Sequence, residues 1–586
     1  GVGLLSGIKT QLANLFGTGG VALGIQPAEM YFQNMWKKFL GHQYKDNAVA
    51  EHVSGYHGLI NSWREWGKVF GKTIWHDRPT GFGATKMEGF QKRAFTPMKL
   101  GVEDTTESRI SMLSAMGRLN RGGAPFLLAT DDAFRTMIHR MNVGREAYRQ
   151  AFEEGLSPNA MRARERFLSA NPQFLSNYRS INLKSTKLAD EALFVERLGI
   201  EGSALSHLAN NIPILRLFTP FIKVMWNLAD FALKRDPVSN LARGVVSKKF
   251  RDKIFDSPEA TTEFLSRMST GVMMVGTGTM LAMEGFITGS EEANYKKVIN
   301  RSMVNHKATS LRIEAEDGSV INYDYSRLEP YASFLQWSAD LVKILGSCSP
   351  DEAEECVYET AHAIQDNIVS DTWVPGLAAL TELVTTRYKD EEQARKALER
   401  FVNKIASGFT PSLLREIESI SDNRVAQSRG GELNFADDKF AKYGGALRGK
   451  QNIDKLIAKM LSNLPGHSKN SIAKLDRWGN VMLKNGDITD LTPLEYITPF
   501  TAYRKKYDKI DERLDQLEIE IGDPSDSLQI QGFDEPVRLS KKQYEQLVLI
   551  STKDLSEIEN FSRNNPSAQI PPSMIERLKK QGEYTN

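Results

Sequence analysis

The sequence predicts a mainly α-helical protein: an elongated multi-helix assembly with one small β-hairpin and an extended C-terminal tail. Three observations predict this fold class. Apolar residues recur every three or four positions in several stretches, which is typical of helices that bury one face. Residues 311 to 325 instead alternate around Asp317-Gly318, which is a hairpin signal. After about residue 421, turn signals crowd the chain and long apolar periodic stretches are few.

Length and composition suit a globular protein with several regions. The chain has 586 residues, of which 41% are apolar and 25% are charged. We divide it into an N-terminal helical region with a weakly charged start (1–120), a central helical domain (121–300), the hairpin with further helices (301–420), and an extended wrapping region (421–586) with a charged helix near 502 to 521. Lys plus Arg total 75 and Asp plus Glu total 73, so the charge balance does not indicate a dedicated DNA-binding domain.

Residues 217 to 237, LFTPFIKVMWNLADFALKRDP, carry start and stop signals for one helix. Thr219 can cap this helix, and Pro220 suits its first position. Phe221 and Met225 belong to a broad apolar face. About sixteen residues at ~1.5 Å each give ~24 Å, which is shorter than the ~30 Å hydrocarbon thickness of a bilayer. Two interpretations remain open: an ordinary core helix, or a helix that packs against a partner or a membrane.

A second helix is predicted at residues 130 to 155, from a cap at Thr130 to a stop at Gly155. Arg145 and Arg149 are neighbours on its surface because they are four residues apart. They could meet phosphate groups, or they could belong to a solvated or ion-paired face.

Residues 268 to 290, MSTGVMMVGTGTMLAMEGFITGS, contain a single charged residue in a length that could cross a bilayer. Gly271, Gly276 and Gly278 reduce helix propensity, but Gly278 and Ala282 also form a small-x-x-x-small pair that lets helices approach closely. We expect a buried helix hairpin here, with a membrane segment as the alternative.

Residues 1 to 28 are also weakly charged, with Lys9 as their one charged residue. They lack the basic start of a signal peptide, so a signal peptide is not predicted. Their glycine clusters are expected to break a long apolar helix.

The sequence gives no reason to expect an enzyme, a cofactor or a metal. It contains none of the short motifs of phosphate-binding loops, zinc proteases or serine hydrolases, and its nine histidines are dispersed. Cys348 and Cys356 match neither a redox nor a zinc spacing. We expect them to be reduced and structural, with a disulfide as the alternative.

Several blocks together resemble one family. Pro220-Phe221, Asn227 and Arg235-Asp236-Pro237 form a PF…N…R-x-P block, and DDAFRTMIHRMNVGREAYRQA, LAMEGFITG, SRLEP, FTPSLLREI and LPGHSKNSIAKLDRWGN are further blocks. Their order and combination are similar to those in the internal virion proteins, or DNA-ejection proteins, of tailed and especially short-tailed bacteriophages. The blocks lie between about residues 125 and 480. Similar modules also occur in giant polyvalent proteins of phages and mobile elements.

The resemblance implies a protein that is stored in the virion and ejected with the genome. It would form an oligomeric conduit that delivers double-stranded DNA across the host periplasm and inner membrane. The implied partners are further copies of the chain, other internal virion or ejection proteins, and portal or tail components. Two alternatives are a resident structural protein that braces the capsid interior or portal, and an accessory module of a polyvalent mobile-element protein.

Three sets of residues are candidates for this role. The helix-packing or interface candidates are Pro220, Phe221, Met225 and Asn227, with a hydrogen bond from Asn227 across a helix interface as one expectation. The membrane-segment candidates are Gly271, Gly276, Gly278 and Ala282. The DNA-lining candidates are Arg145, Arg149, Lys248, Lys249 and Arg251, with ordinary surface charge as the alternative for each.

Overall fold

The computed structural model describes residues 8–41, 48–76, 124–170, 183–196, 219–237, 240–241, 244, 247–290, 295–347, 422–425, 473–488, 498–507, 509–516, 527–528, 537–538, 543–544 and 546–548. Most of these residues are helical and few are in strands, which confirms the mainly α prediction. Cys348, Cys356 and the FTPSLLREI block lie outside the described residues.

The elements are as follows. The helices are α1 (Ile8–Gly20), α2 (Gln26–Phe39), α3 (Ala48–Asn61), α4 (Trp63–His76), α5 (Ala124–Glu153), α6 (Pro158–Ala170), α7 (Leu183–Ala192), α8 (Thr219–Arg235), α9 (Lys248–Ile254), α10 (Pro258–Met283), α11 (Tyr295–Met303), α12 (Tyr331–Ser347) and α13 (Lys509–Gln516). The strands are β1 (Ser310–Glu314), β2 (Val320–Asp324), β3 (Thr501–Tyr503), β4 (Ser527–Leu528) and β5 (Val537–Arg538).

The chain divides into two compact units, and each unit draws on two separate stretches of sequence. The first unit comprises Gly1–Met280 and Leu328–Ser412, and the second comprises Leu281–Arg327 and Leu413–Asn586. The four consecutive regions predicted from the sequence do not include such a discontinuous arrangement.

Helix α5 is the centre of the first unit. It is 30 residues long and packs against α3, α4 and α6. Its buried residues Phe134, Met137, Ile138 and Met141 recur at intervals of three, one and three, and they join the main apolar core with residues of α2, α7 and α8. This spacing puts them on one face of the helix, which explains why the sequence folds here as a buried helix.

The start of α5 differs from the prediction. The helix begins at Ala124, so Thr130 lies inside it and does not cap it. The Thr130 hydroxyl donates a hydrogen bond to the Phe126 carbonyl oxygen at 2.9 Å, as threonines in helix interiors often do. The predicted stop is close to the observed one, because Gly155 follows the helix with a φ of +66°.

The weakly charged N-terminal segment is helical from Ile8 to Phe39, with a π-helical turn at Val21–Ile25 between α1 and α2. The predicted helix break was wrong. A Cβ atom on Gly17 would overlap the carbonyl oxygen of Glu329, and one on Gly20 would lie 2.7 Å from the Tyr331 ring. The glycines therefore permit close packing within a continuous helix.

Helix α10 contradicts the helix hairpin predicted at residues 268 to 290. A single helix passes through Gly271, Gly276 and Gly278 and ends at Met283, after which the chain turns at Gly285. Each glycine weakens a helix by only ~1 kcal/mol relative to alanine, so favourable packing on neighbouring helices can keep the segment helical.

The second unit contains the predicted hairpin. Strands β1 and β2 pair antiparallel around Asp317-Gly318, and the Asp317 carboxylate accepts a hydrogen bond from the Ser319 amide at 3.0 Å. Gly318 has a φ of +77°, which this turn requires and glycine adopts readily. The hairpin prediction is therefore confirmed, but the sheet also has a third strand, β3, beside β2. The charged helix predicted near 502 to 521 is shorter than expected, because residues 501 to 503 form β3 and the helix is α13.

Asn305 connects three parts of the second unit. Its side-chain amide donates to the Val320 carbonyl oxygen at 2.7 Å, and its Oδ1 accepts from the Asn322 side chain and from the Lys505 amide, each at 2.9 Å. Its φ is +58°, in the left-handed region that asparagine tolerates better than most residues. One buried side chain thus holds the end of α11 against β2 and the residues after β3.

Candidate helix-packing interface

Helix α8 occupies the segment with clear start and stop signals. It runs from Thr219 to Arg235, with Lys234 and Arg235 in its last turn. Asn227 is buried, and its side-chain amide donates to the Glu196 carbonyl oxygen at 2.9 Å, just after α7. Pro220, Phe221 and Met225 lie on the same helix, but their side chains are outside the described part of the structure. Their proposed interface role stays a prediction.

Arg235 is the centre of a buried ionic network. Its side chain is fully buried and stacks on the Phe231 ring, with the guanidinium carbon 3.4 Å from the ring centroid. The guanidinium group binds both carboxylate oxygens of Glu29, with Nη2 and Oε2 2.9 Å apart, and Glu191 at 3.0 Å. A planar guanidinium group suits such a role because it donates several hydrogen bonds in fixed directions.

Arg267 of α10 completes the network by binding Glu191 at 2.7 Å. Burial alone would raise the pKa of Glu191, but the guanidinium groups of Arg267 and Arg235 outweigh burial and lower that pKa. The pKa of Glu29 is raised, chiefly by burial, although Arg235 acts against the rise. Four helices, α2, α7, α8 and α10, therefore meet through two acids and two arginines.

The membrane-segment candidates divide into two faces of α10. A Cβ atom on Gly271 would overlap the carbonyl oxygen of Arg235, and one on Gly278 would lie 2.7 Å from Cβ of Ser338 in α12. Both glycines thus lie where a neighbouring helix approaches closely. Gly276 is exposed with no atom in reach of such a Cβ, and Ala282 is half-buried.

The opposite face of α10 is apolar and open to solvent. Val272, Met273, Met280 and Met283 are about half to three-quarters exposed and recur along one side of the helix. We call these four residues the α10 stripe. None of the described helices is both long enough and apolar enough to cross a membrane.

The DNA-lining candidates also lie in different environments. Arg145 is buried and bonds Glu51 at 2.9 Å, and Arg149 bonds the same carboxylate at 2.7 Å. Burial would raise the pKa of Glu51, but the two guanidinium groups outweigh burial and lower it. Arg145 therefore does not line an open surface, because its charge is engaged inside the first unit.

Lys248, Lys249 and Arg251 lie together on the short helix α9 and are exposed. The Arg251 guanidinium group donates to the Gly244 carbonyl oxygen at 2.7 Å. These three residues are accessible to a polyanion, and their role in lining DNA stays a prediction.

The ionic partners of these arginines were not identified from the sequence. Arg235 is separated from Glu29 by 206 residues, and Arg145 is separated from Glu51 by 94. The sequence around each glutamate does not indicate that it is buried beside an arginine, because its burial depends on helices that are distant in sequence. The R-x-P block marked the position of Arg235 but not its buried environment.

The described residues contain no group of three or more histidines, cysteines, aspartates or glutamates that could hold a metal ion. Comparison with protein-family models, curated proteins and solved structures finds no significant match. The fold and site thus define a mainly helical protein, in which one helix joins an internal ionic network on one face to an exposed apolar stripe on the other.

Proposed function

We propose that this chain is an internal virion protein of a tailed bacteriophage. It is stored in the virion interior, is ejected with the genome, and joins other copies in a conduit for double-stranded DNA across the host periplasm and inner membrane. Other ejection proteins and portal or tail components are its further partners. The proposal assigns the chain no catalytic step and no cofactor.

The α10 stripe is the observation that carries the proposal beyond the sequence resemblance. Met280 and Met283 are 70% and 72% exposed. Contact of these apolar side chains with water is unfavourable, and burial against another surface would remove it. The methionine side chain adapts easily to different neighbours. The stripe can therefore pack against one surface in the virion and against another after ejection. An exposed apolar stripe of this kind is typical of a surface that meets a partner or a membrane.

The anchored face of α10 supports the same role. Gly271 and Gly278 let α8 and α12 approach closely, and Arg267 connects α10 to the ionic network. The stripe therefore lies on a helix whose opposite face is packed against α8 and α12. In this proposal the stripe contacts other copies of the chain or the membrane interface, and α9 contributes basic side chains near passing DNA.

Flotation and dye release with vesicles of phosphatidylethanolamine and phosphatidylglycerol would test the proposal. The purified chain is expected to float with the vesicles and release dye. Met280→Asp with Met283→Asp should abolish both effects, because charged side chains on the stripe disfavour an apolar environment. A double variant with Phe255→Asp and Leu241→Asp is the control, since these two apolar side chains are 70% and 65% exposed but do not belong to the stripe.

A folded wild-type chain that neither floats nor releases dye would favour the resident structural alternative, in which the protein braces the capsid interior or portal. Equal loss in the stripe variant and the control variant would contradict a specific role for the stripe. Circular dichroism on all variants would show that the helical fold is retained.

A further inference from the structure

A groove of about 960 Å³ lies on the first unit between α3 and α6, with α5 at its base. Both flanking helices pack on α5, but they make little contact with each other. The contact between α3 and α5 is very close: a Cβ atom on Gly58 would lie 2.5 Å from the Arg140 carbonyl oxygen, and one on Gly144 would lie 2.7 Å from the Ser54 carbonyl oxygen. The groove therefore has one firm wall and base, formed by two tightly packed helices.

The groove combines an apolar wall with a basic one. Val49 and Val53 of α3 are 64% and 45% exposed, and Met161 of α6 also lines the groove. Arg162 and Arg166 line it from α6, are exposed, and lie four residues apart on one side of that helix.

The charge of the groove is positive. Three arginines and one glutamate are among its lining residues, and the side chain of His57 is exposed there. The glutamate, Glu65, is already engaged, because its carboxylate bonds Arg140 at 2.5 Å. Arg162 and Arg166 thus present positive charge beside an apolar surface, and a complementary ligand would offer apolar side chains flanked by carboxylates.

We propose that this groove binds an acidic amphipathic helix of a partner protein. Two helices that diverge over a third leave room for a further helix, because packed helix axes lie about 8–10 Å apart. Apolar side chains of the partner helix would contact Val49, Val53 and Met161. Carboxylates at positions i and i+4 of that helix would bind Arg162 and Arg166, since this spacing matches the arginines.

Nucleic acid suits the groove less well. A phosphate backbone could form ionic contacts with the two arginines. It has no apolar groups to pack against the valines and the methionine, so these side chains would gain no apolar contacts. The proposal does not depend on the function proposed above, because it concerns a different surface of the first unit.

Fluorescence anisotropy with synthetic helices would test the proposal on the full chain. The probe is a fluorescein-labelled peptide of about 20 residues with leucines on one face and glutamates at i and i+4 beside it. A second peptide has lysine at each glutamate position. The glutamate peptide is expected to bind the wild-type chain. The double variant Arg162→Glu with Arg166→Glu should lower the affinity for this peptide at least about tenfold and should raise the affinity for the lysine peptide.

Arg164→Glu is the matched control for charge, because Arg164 lies on the same helix but bonds Glu154 at 2.8 Å. It should change binding much less than the double reversal. Val53→Asp should weaken binding of the glutamate peptide but leave the preference for this peptide over the lysine peptide. Size-exclusion chromatography with light scattering would detect a second copy of the chain in the groove.

Three results would overturn the proposal. One is the absence of binding by the glutamate peptide, and another is equal weakening by Arg164→Glu and by the double reversal. The third is the finding that the double reversal abolishes self-association, or binding of a labelled DNA duplex, and leaves peptide binding unchanged. Such a result would assign the groove to a second copy or to nucleic acid.

Discussion

Gly271 of α10 lies directly against the backbone carbonyl group of Arg235 at the end of α8, so closely that a Cβ atom on the glycine would overlap that oxygen. The same arginine holds the buried ionic network with its side chain. Backbone packing and charge pairing therefore coincide at one helix contact.

Gly271→Ala is expected to destabilise the first unit by about 1–3 kcal/mol, because overpacking at a close helix contact forces the backbones apart. Gly276→Ala on the same helix is the matched control. Gly276 faces open space, so alanine there should be neutral or stabilise by up to about 1 kcal/mol through helix propensity. Urea midpoints compared across the wild type and both variants would measure the difference, and a similar shift for both would contradict the contact.

Arg235→Met is expected to cost about 3–5 kcal/mol, because it leaves Glu29 and Glu191 buried with less compensating charge. Lys234→Met is the neighbouring control. Lys234 is partly exposed where it pairs with Glu196 and Asp230, so its loss should cost under about 1 kcal/mol. Thermal unfolding of the two variants would separate these expectations, and equal midpoints would show that the buried network contributes little.

Replacing Glu329 by glutamine is expected to increase stability by an amount that depends on pH. Burial raises the pKa of this carboxyl well above 4.5, although the Ser333 hydroxyl and amide donate to it. Because folding raises the pKa, this group's contribution to stability is complete below about pH 4.5 and is lost as pH rises toward the folded pKa.

Glu329→Gln should therefore raise the unfolding midpoint more at pH 8 than at pH 5. Differential scanning fluorimetry from pH 4 to pH 9 measures this, with the exposed Glu316→Gln as control. A gain that does not grow with pH would argue against a carboxyl group that folding keeps protonated.

Asn305→Ala is expected to cost about 2–4 kcal/mol in the second unit, because it removes three hydrogen bonds of a buried side chain and places alanine in the left-handed region. Asn305→Gly removes the same bonds without the backbone strain. Hydrogen exchange of the amides in β2 should rise in both variants, and more in the alanine variant. Unchanged protection of β2 in both would show that Asn305 does not hold the sheet.

Local signals carried the predictions that were confirmed. The hairpin was predicted because its turn, Asp317-Gly318, lies between its two strands, and α8 was predicted because its start and stop residues are adjacent to it. The third strand was not predicted, because β3 pairs with residues about 180 positions earlier. No turn signal connects strands that are so far apart in sequence, and β3, with three residues, is too short to show a clear alternation.

The glycine-rich segments explain the other differences. The glycine cluster that contains Gly17 was expected to break a helix, and Gly271 was expected to weaken one. Both lie inside helices, where the backbone of another segment comes close. Sequence alone does not distinguish a glycine that ends a helix from one that permits contact. A similar limit applies to Arg145. The sequence left open a phosphate contact or an ion-paired face, and its partner Glu51 could not be identified because it is remote in sequence.

The position of β3 also affects the order of events during synthesis. Strand β2 lies between β1 and β3 in the sheet. Its partner β1 is translated just before it, whereas the partner on its other edge, residues 501 to 503, is translated much later. At about 5–20 residues per second, translation of the intervening chain takes roughly ten seconds or more. During that interval this edge of β2 has no partner strand from its own chain, and an unpaired strand edge can template association with other strands.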